Sequence, residues 1–116
     1  MDGDTLVLMG EVATAAESDA TLLLSTRFSL GFMKSIDNRA NTLADPHSAI
    51  VSSTAFGHAG AGGSVGFADP ACRMSFGYAM NRQGQSLLLN DRGQGLIDAV
   101  YLALGYRSNA PGCWIR

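Results

Sequence analysis

The chain is 116 residues long, 47% apolar and 16% charged, the composition of a single globular domain and not of a disordered segment. Eight basic residues against ten acidic ones give a formal charge of −2 with neither sign clustered, so charge supports no nucleic-acid or anionic-membrane partner. Cys72 and Cys113 lie far apart with no C-x-x-C spacing, which reads as two reduced thiols. MDGDTLVLMGEVATAAE has no basic n-region and too short an apolar run for a signal peptide or a membrane span. The expectation is therefore a cytoplasmic chain.

Residues 1–20 form a poorly defined segment. Val12, Ala13 and Ala16 allow a short helix in GEVATAAE, while ATLLLST reads as extended. In RFSLGFMK, Phe28, Leu30 and Phe32 alternate with Ser29, Gly31 and Met33, the period of a strand. IDNRANTLADPHSAIVSS, residues 36–53, is polar around Asp45-Pro46 and reads as a loop. GSVGFA then sets Val65 and Phe67 on one face and Ser64, Gly66 and Ala68 on the other, and Asp69-Pro70 fits the first two positions of a type I turn. In RMSFGYAMN, Met74, Phe76, Tyr78 and Met80 alternate with Arg73, Ser75, Gly77, Ala79 and Asn81, so the two runs form an antiparallel hairpin over 63–81.

The spacing of Leu96, Ile97, Val100, Tyr101 and Leu104 predicts a helix over 91–104, capped by Asn90 or Asp91 and stopped at Gly105. That helix can cover the large apolar faces of the strands. The tail YRSNAPGCWIR, residues 107–116 and the tyrosine before them, has no periodicity and is expected to be flexible unless Trp114 docks. The predicted class is α+β, an antiparallel sheet of three to four strands packed against a C-terminal helix.

Gly62-Gly63-Ser64-Val65-Gly66 matches the glycine-x-serine-x-glycine nucleophile pattern. An elbow serine needs a strand that turns sharply into a helix, whereas here the pentapeptide leads into a hairpin. No histidine follows Ser64, so the triad order Ser…Asp…His is not available either. Ser64 is read as structural. No lysine follows the glycines as in a phosphate loop, and Val65 stands where a dinucleotide fingerprint requires its third glycine. His47 and His58 have no metal-ligand spacing, so neither a metal nor a cofactor is expected.

RFSLGFM, AFGHAGAGGSVGFADP, FGYAMNR and GLIDAVYLAL, in that order, resemble the C-terminal part of the β-lactamase-related serine hydrolases. That superfamily holds class C β-lactamases, penicillin-binding DD-peptidases and esterases. The likeness spans residues 21–106 and is nearest the esterase-like branch, in which the lysine-threonine-glycine triplet is replaced by histidine-x-glycine, here His58-Ala59-Gly60. The resemblance implies an incomplete β-lactamase/transpeptidase-like fold. It implies that His58 and Gly60 line the cleft on an edge strand and that the Ala61 backbone amide is one of two oxyanion-hole donors. The family's nucleophilic serine-x-x-lysine and its tyrosine-x-asparagine are both missing. Lys34, the only lysine, has Gly31 three residues before it, and Tyr78, Tyr101 and Tyr106 are followed two positions on by Met80, Ala103 and Ser108. The reading is a truncated serine hydrolase, inactive alone, whose complete form would take a small-molecule ester, amide or β-lactam. The alternative is a non-catalytic assembly module that self-associates or complements a separate N-terminal chain.

Overall fold

The computed structural model describes residues 1–41 and 47–116. Asp45-Pro46, the centre of the predicted loop, lies outside the described residues. The elements in order are α1 (Gly3–Gly10), β1 (Thr14–Ala16), β2 (Thr26–Phe28), β3 (Phe56–Ala59), β4 (Val65–Asp69), β5 (Met74–Tyr78) and α2 (Asp91–Ala103). The architecture is α+β as expected, with an antiparallel β1-β2 pair, an antiparallel β3-β4-β5 sheet and a C-terminal helix. One residue, Met33, joins the two sheets: it bridges Phe28 on one side and Gly57 on the other, and its N–H and C=O both bond to Gly57, at 2.7 and 3.1 Å.

The predicted hairpin holds in register, with Val65 opposite Tyr78, Phe67 opposite Phe76 and Asp69 opposite Met74. Val65 and Phe67 are buried while Gly66 is exposed, the alternation their spacing implies. The Asp69-Pro70 turn is a single 3-10 turn, Pro70–Cys72, in which the Asp69 side chain accepts from the Ala71 N–H. The second strand stops at Tyr78, short of the predicted Asn81.

In α2, Asn90 caps the first turn by accepting from the Gly93 N–H, and Gly105 takes the left-handed conformation just beyond the last turn (φ 83°). The buried stripe is narrower than predicted. Gly93, Ile97 and Tyr101 face the core, whereas Leu96 and Leu104 are exposed. Tyr101 is fully buried and stacks on Phe67 and Trp114, with ring centroids 6.2 and 5.7 Å apart. The helix therefore does cover the large face of β4.

Five segments differ from their predicted form. The N-terminal helix lies at Gly3–Gly10, capped by Asp2, and Thr14–Ala16 is a strand and not helix. ATLLLST is not extended: the chain turns through Leu23 (φ 57°), with the Asp19 carboxylate accepting from the Thr21 and Leu22 amides. The predicted strand through RFSLGFMK ends at Phe28. Residues 29–32 reverse direction, with Gly31 at φ 84° and Ser29 N–H bonded to Phe32 C=O, and Leu30 points to solvent. The tail is tied down rather than loose. Trp114 is buried, its backbone N–H donates to Val51, and Arg107 and Ser108 bond to Ile115. Finally, the polar stretch 36–53 supplies core residues: Ile36, Ala49, Ile50 and Val51 are all buried.

Candidate functional site

β3 and β4 are joined by a loop whose glycines are seats for close packing. Gly62 and Gly63 both have positive φ (91° and 106°), and a Cβ at Gly63 would collide with the Asn90 carboxamide. Asn90 thus has two duties: its Oδ1 caps α2, and its Nδ2 donates to the Gly62 carbonyl at 2.9 Å. Gly62 also exchanges backbone bonds with Ser86 and Gly84. The start of α2 and the 83–90 segment are thereby clamped to the loop. Ser64 leads directly into β4, and its carbonyl accepts from Gly60 at 2.8 Å, so no helix springs from it. The geometry is that of a hairpin residue and not of a nucleophile elbow.

On the side of β3 away from β4, pairing stops at Gly57 among the described residues. Because Gly57 directs its N–H and C=O at Met33, strand alternation turns those of Ala59 to the same, now open, side. The His58 ring is exposed, and its Nδ1 lies 2.6 Å from the Ala59 carbonyl. Gly60 is half-buried behind it. Ala61 is exposed, and among the described residues its amide donates to no protein acceptor. That is the state an amide needs in order to hold an external oxyanion.

Ala61 lines an open depression of about 360 Å³ together with His47, Gln83, Gln85, Ser86 and Leu87. His58 is not on its wall. His47 comes from far upstream, and its Nδ1 accepts the Leu87 N–H at 3.2 Å. Sequence reasoning considered His47 only as a metal ligand. The 83–90 segment carried no periodic signal, and only the paired glycines at 62–63 hinted that something must approach them closely. Among the described residues no group of three or more His, Cys, Asp or Glu could hold a metal ion, and both cysteines are free thiols. Among the same residues no helix is long and apolar enough to cross a membrane.

The far end of β4 carries a buried polar hub. The Asp69 carboxylate is fully buried and accepts from Ser52 Oγ (2.5 Å), Thr54 Oγ1 (2.7 Å) and Tyr101 Oη (2.9 Å). Burial opposes its ionisation, but the bonds from Ser52, Thr54 and Tyr101 together outweigh burial and hold the carboxyl below the usual range. Lys34 is also buried and donates to Ala55 C=O at 2.6 Å. Burial pushes its ammonium below the usual lysine range, and the Asp69 charge only partly restores it. Between them Lys34 and Asp69 pin residues 52–55, the lead into β3. The sequence marked Asp69 only as a turn residue, since its partners are 15 to 32 positions away.

No family model matches the chain, and no curated protein matches it significantly. Among solved structures it is similar to a family VIII carboxylesterase in crystal form, with 34% sequence identity and a TM-score of 0.62 over 82% of this chain. The chain spans 23% of that carboxylesterase's length. Sequence identity and fold agree, and together they support a serine-hydrolase-family relationship of the esterase and β-lactamase-like kind for this chain.

Proposed function

We propose that this chain forms the C-terminal wall of an acyl-transfer pocket in an ester-hydrolysing serine hydrolase. His58 and Gly60 border the cleft, the Ala61 amide donates to the oxyanion, and the attacking serine comes from a serine-x-x-lysine segment outside this sequence. The observation that carries the reading is the exposed, unpartnered Ala61 amide next to an open strand edge, in a chain 34% identical to part of a carboxylesterase. A preorganised backbone donor stabilises a tetrahedral oxyanion without reorganising, and one such donor is worth about 10²–10³ in rate. A donor without a nucleophile completes no cycle, so the chain alone is inert toward esters.

The test replaces the corresponding 23% of the carboxylesterase with this chain and follows hydrolysis of a chromogenic ester. The chimera should turn over, Ala61→Pro should lower kcat by about 10²–10³-fold, and Ser64→Ala should leave it unchanged. Turnover by the isolated chain that disappears in Ser64→Ala would overturn the reading. So would a folded chimera that is active but indifferent to Ala61→Pro.

A further inference from the structure

The C-terminal tail and α2 grip the same stretch of irregular backbone. Gln94, on α2, holds Ile50 from both sides: its Oε1 accepts the Ile50 N–H and its Nε2 donates to the Ile50 carbonyl, each at 2.9 Å. One residue on, the Trp114 N–H donates to the Val51 carbonyl at 3.0 Å, and Trp114 bridges Ser52 in parallel. The two grips meet at Asp98. Its Oδ1 accepts from Gln94 Nε2 at 2.7 Å and from the Trp114 indole Nε1 at 3.1 Å. Trp114 is buried and stacks on Tyr101, so packing seats the tail as well as hydrogen bonds.

The gripped backbone reaches the Ala61 amide by two routes. His47, three residues before Ile50, lines the same depression as Ala61. Val51 is buried and lines a small hollow together with Gly57 and Ala59 of β3, the strand that leads to Ala61. Resting on the acyl-transfer reading above, we propose that Trp114 and Asp98 are positioning residues of that site. Acting through Ile50 and Val51, they fix where β3 sits and so where the Ala61 amide points. Neither side chain touches substrate.

The need for such anchors follows from the backbone itself. β4 is held on both edges by β3 and β5, whereas residues 47–52 belong to no strand and are held only by isolated bridges and side chains. Backbone without a ladder takes its position from whatever bonds its polar groups. An oxyanion donor works because it is aimed in advance, and a misplacement of about 1 Å caused by a distant change can cost on the order of 10²-fold in rate. The Asp69 hub pins the next stretch, 52–55, from the interior. The Asp98 grip is half-buried, so loosening it disturbs position more than it disturbs the core.

A double-mutant cycle in the chimera tests the proposal. Trp114→Phe keeps a ring against Tyr101 and drops the indole donor, while Asp98→Ala drops the shared acceptor. Each should lower kcat about 10-fold with KM little changed. In an Ala61→Pro background, where the amide is already gone, the same substitutions should change kcat by less than about twofold. Asp98→Asn, which keeps an oxygen acceptor, should recover most of the rate. An equal factor in both backgrounds is what loss of folded protein produces, and it overturns the proposal. So does an unchanged kcat in Asp98→Ala. A second measurement needs no turnover. In the isolated chain, Asp98→Ala should shift the Ala61 amide resonance in proton–nitrogen NMR spectra and leave those of Met74–Tyr78 in place. A stationary Ala61 resonance removes the positioning role and leaves the acyl-transfer reading standing. Indifference of the chimera to Ala61→Pro removes that reading, and this role with it.

Discussion

The two ends of β4 solve opposite problems. At Asp69 a charge is taken fully out of water and answered by three side-chain hydroxyls from two places in the chain, the 52–54 segment and α2. At the Gly60–Ser64 end, glycines let the side chains of Ser64, Gln83 and Asn90 close in, and an amide is left facing outward. A satisfied buried network fixes geometry, and an unsatisfied exposed donor is what a ligand can use. The hairpin holds one end rigid so that the other end can stay open without drifting.

The largest effect should come from breaking the rigid end. Asp69→Ala removes the acceptor of the buried Ser52 and Tyr101 hydroxyls and of Thr54, and leaves Lys34 without its opposing charge, so chemical denaturation should show a loss of about 3–5 kcal/mol. A loss under about 1 kcal/mol, the range of an exposed ion pair, would show that the hub does not hold the sheet. At the open end, Gly63→Ala drives a methyl into the Asn90 carboxamide at a φ that disfavours it, and should cost about 1–3 kcal/mol. By contrast Gly66→Ala, mid-strand on the exposed face with open space at Cβ, should be neutral or slightly stabilising. If those two variants were equally stable, the packing role of the loop glycines would be wrong.

A pH titration sharpens the same contrast. The carboxyl of Asp69 ionises more readily in the folded state than in the unfolded one, so its contribution is complete above the unfolded carboxylate range. It is lost as pH falls through the lower folded value. Stability should therefore decline below about pH 4, and the decline should be shallower in Asp69→Asn. An acid limb unaltered by that substitution would assign it to Asp2, Asp19 and Asp37, whose carboxyls are also held low by local hydrogen bonds. The smallest effect is expected at Ser64→Ala, within about 0.5 kcal/mol, since that side chain is only half-buried.

Much of the second half of the fold was legible because each element there is periodic and punctuated. The strands at Val65–Asp69 and Met74–Tyr78 alternate, the turn between them starts at Asp-Pro, and α2 has its cap at Asn90 and its stop at Gly105. The first half was not, and the reasons are particular. Phe28, Leu30 and Phe32 alternate as a strand would, yet Gly31 supplies the left-handed residue of a reversal. Leu23, a residue that rarely takes positive φ, turns the chain where three leucines suggested a strand. Ile36, Ile50 and Val51 reach the core from irregular backbone, where no period exists to be read. In the tail Asn109 to Gly112 is a turn, and the residues on either side of it pair. Of the candidate site, His58, Gly60 and Ala61 were proposed by likeness to known triplets, whereas the approach of His47 to Leu87 depends on side-chain geometry that no spacing encodes.

The Met33 seam has a mechanical consequence. Beyond that single backbone bridge, β1-β2 is tied to the rest by side chains such as Leu24 and Phe28, so residues 14–28 should be less protected than the β3-β4-β5-α2 body. In native-state hydrogen exchange the amides of β1 and β2 should open at lower free energy than those of β4. Met33 and Gly57 should mark the boundary where the slow and fast populations meet.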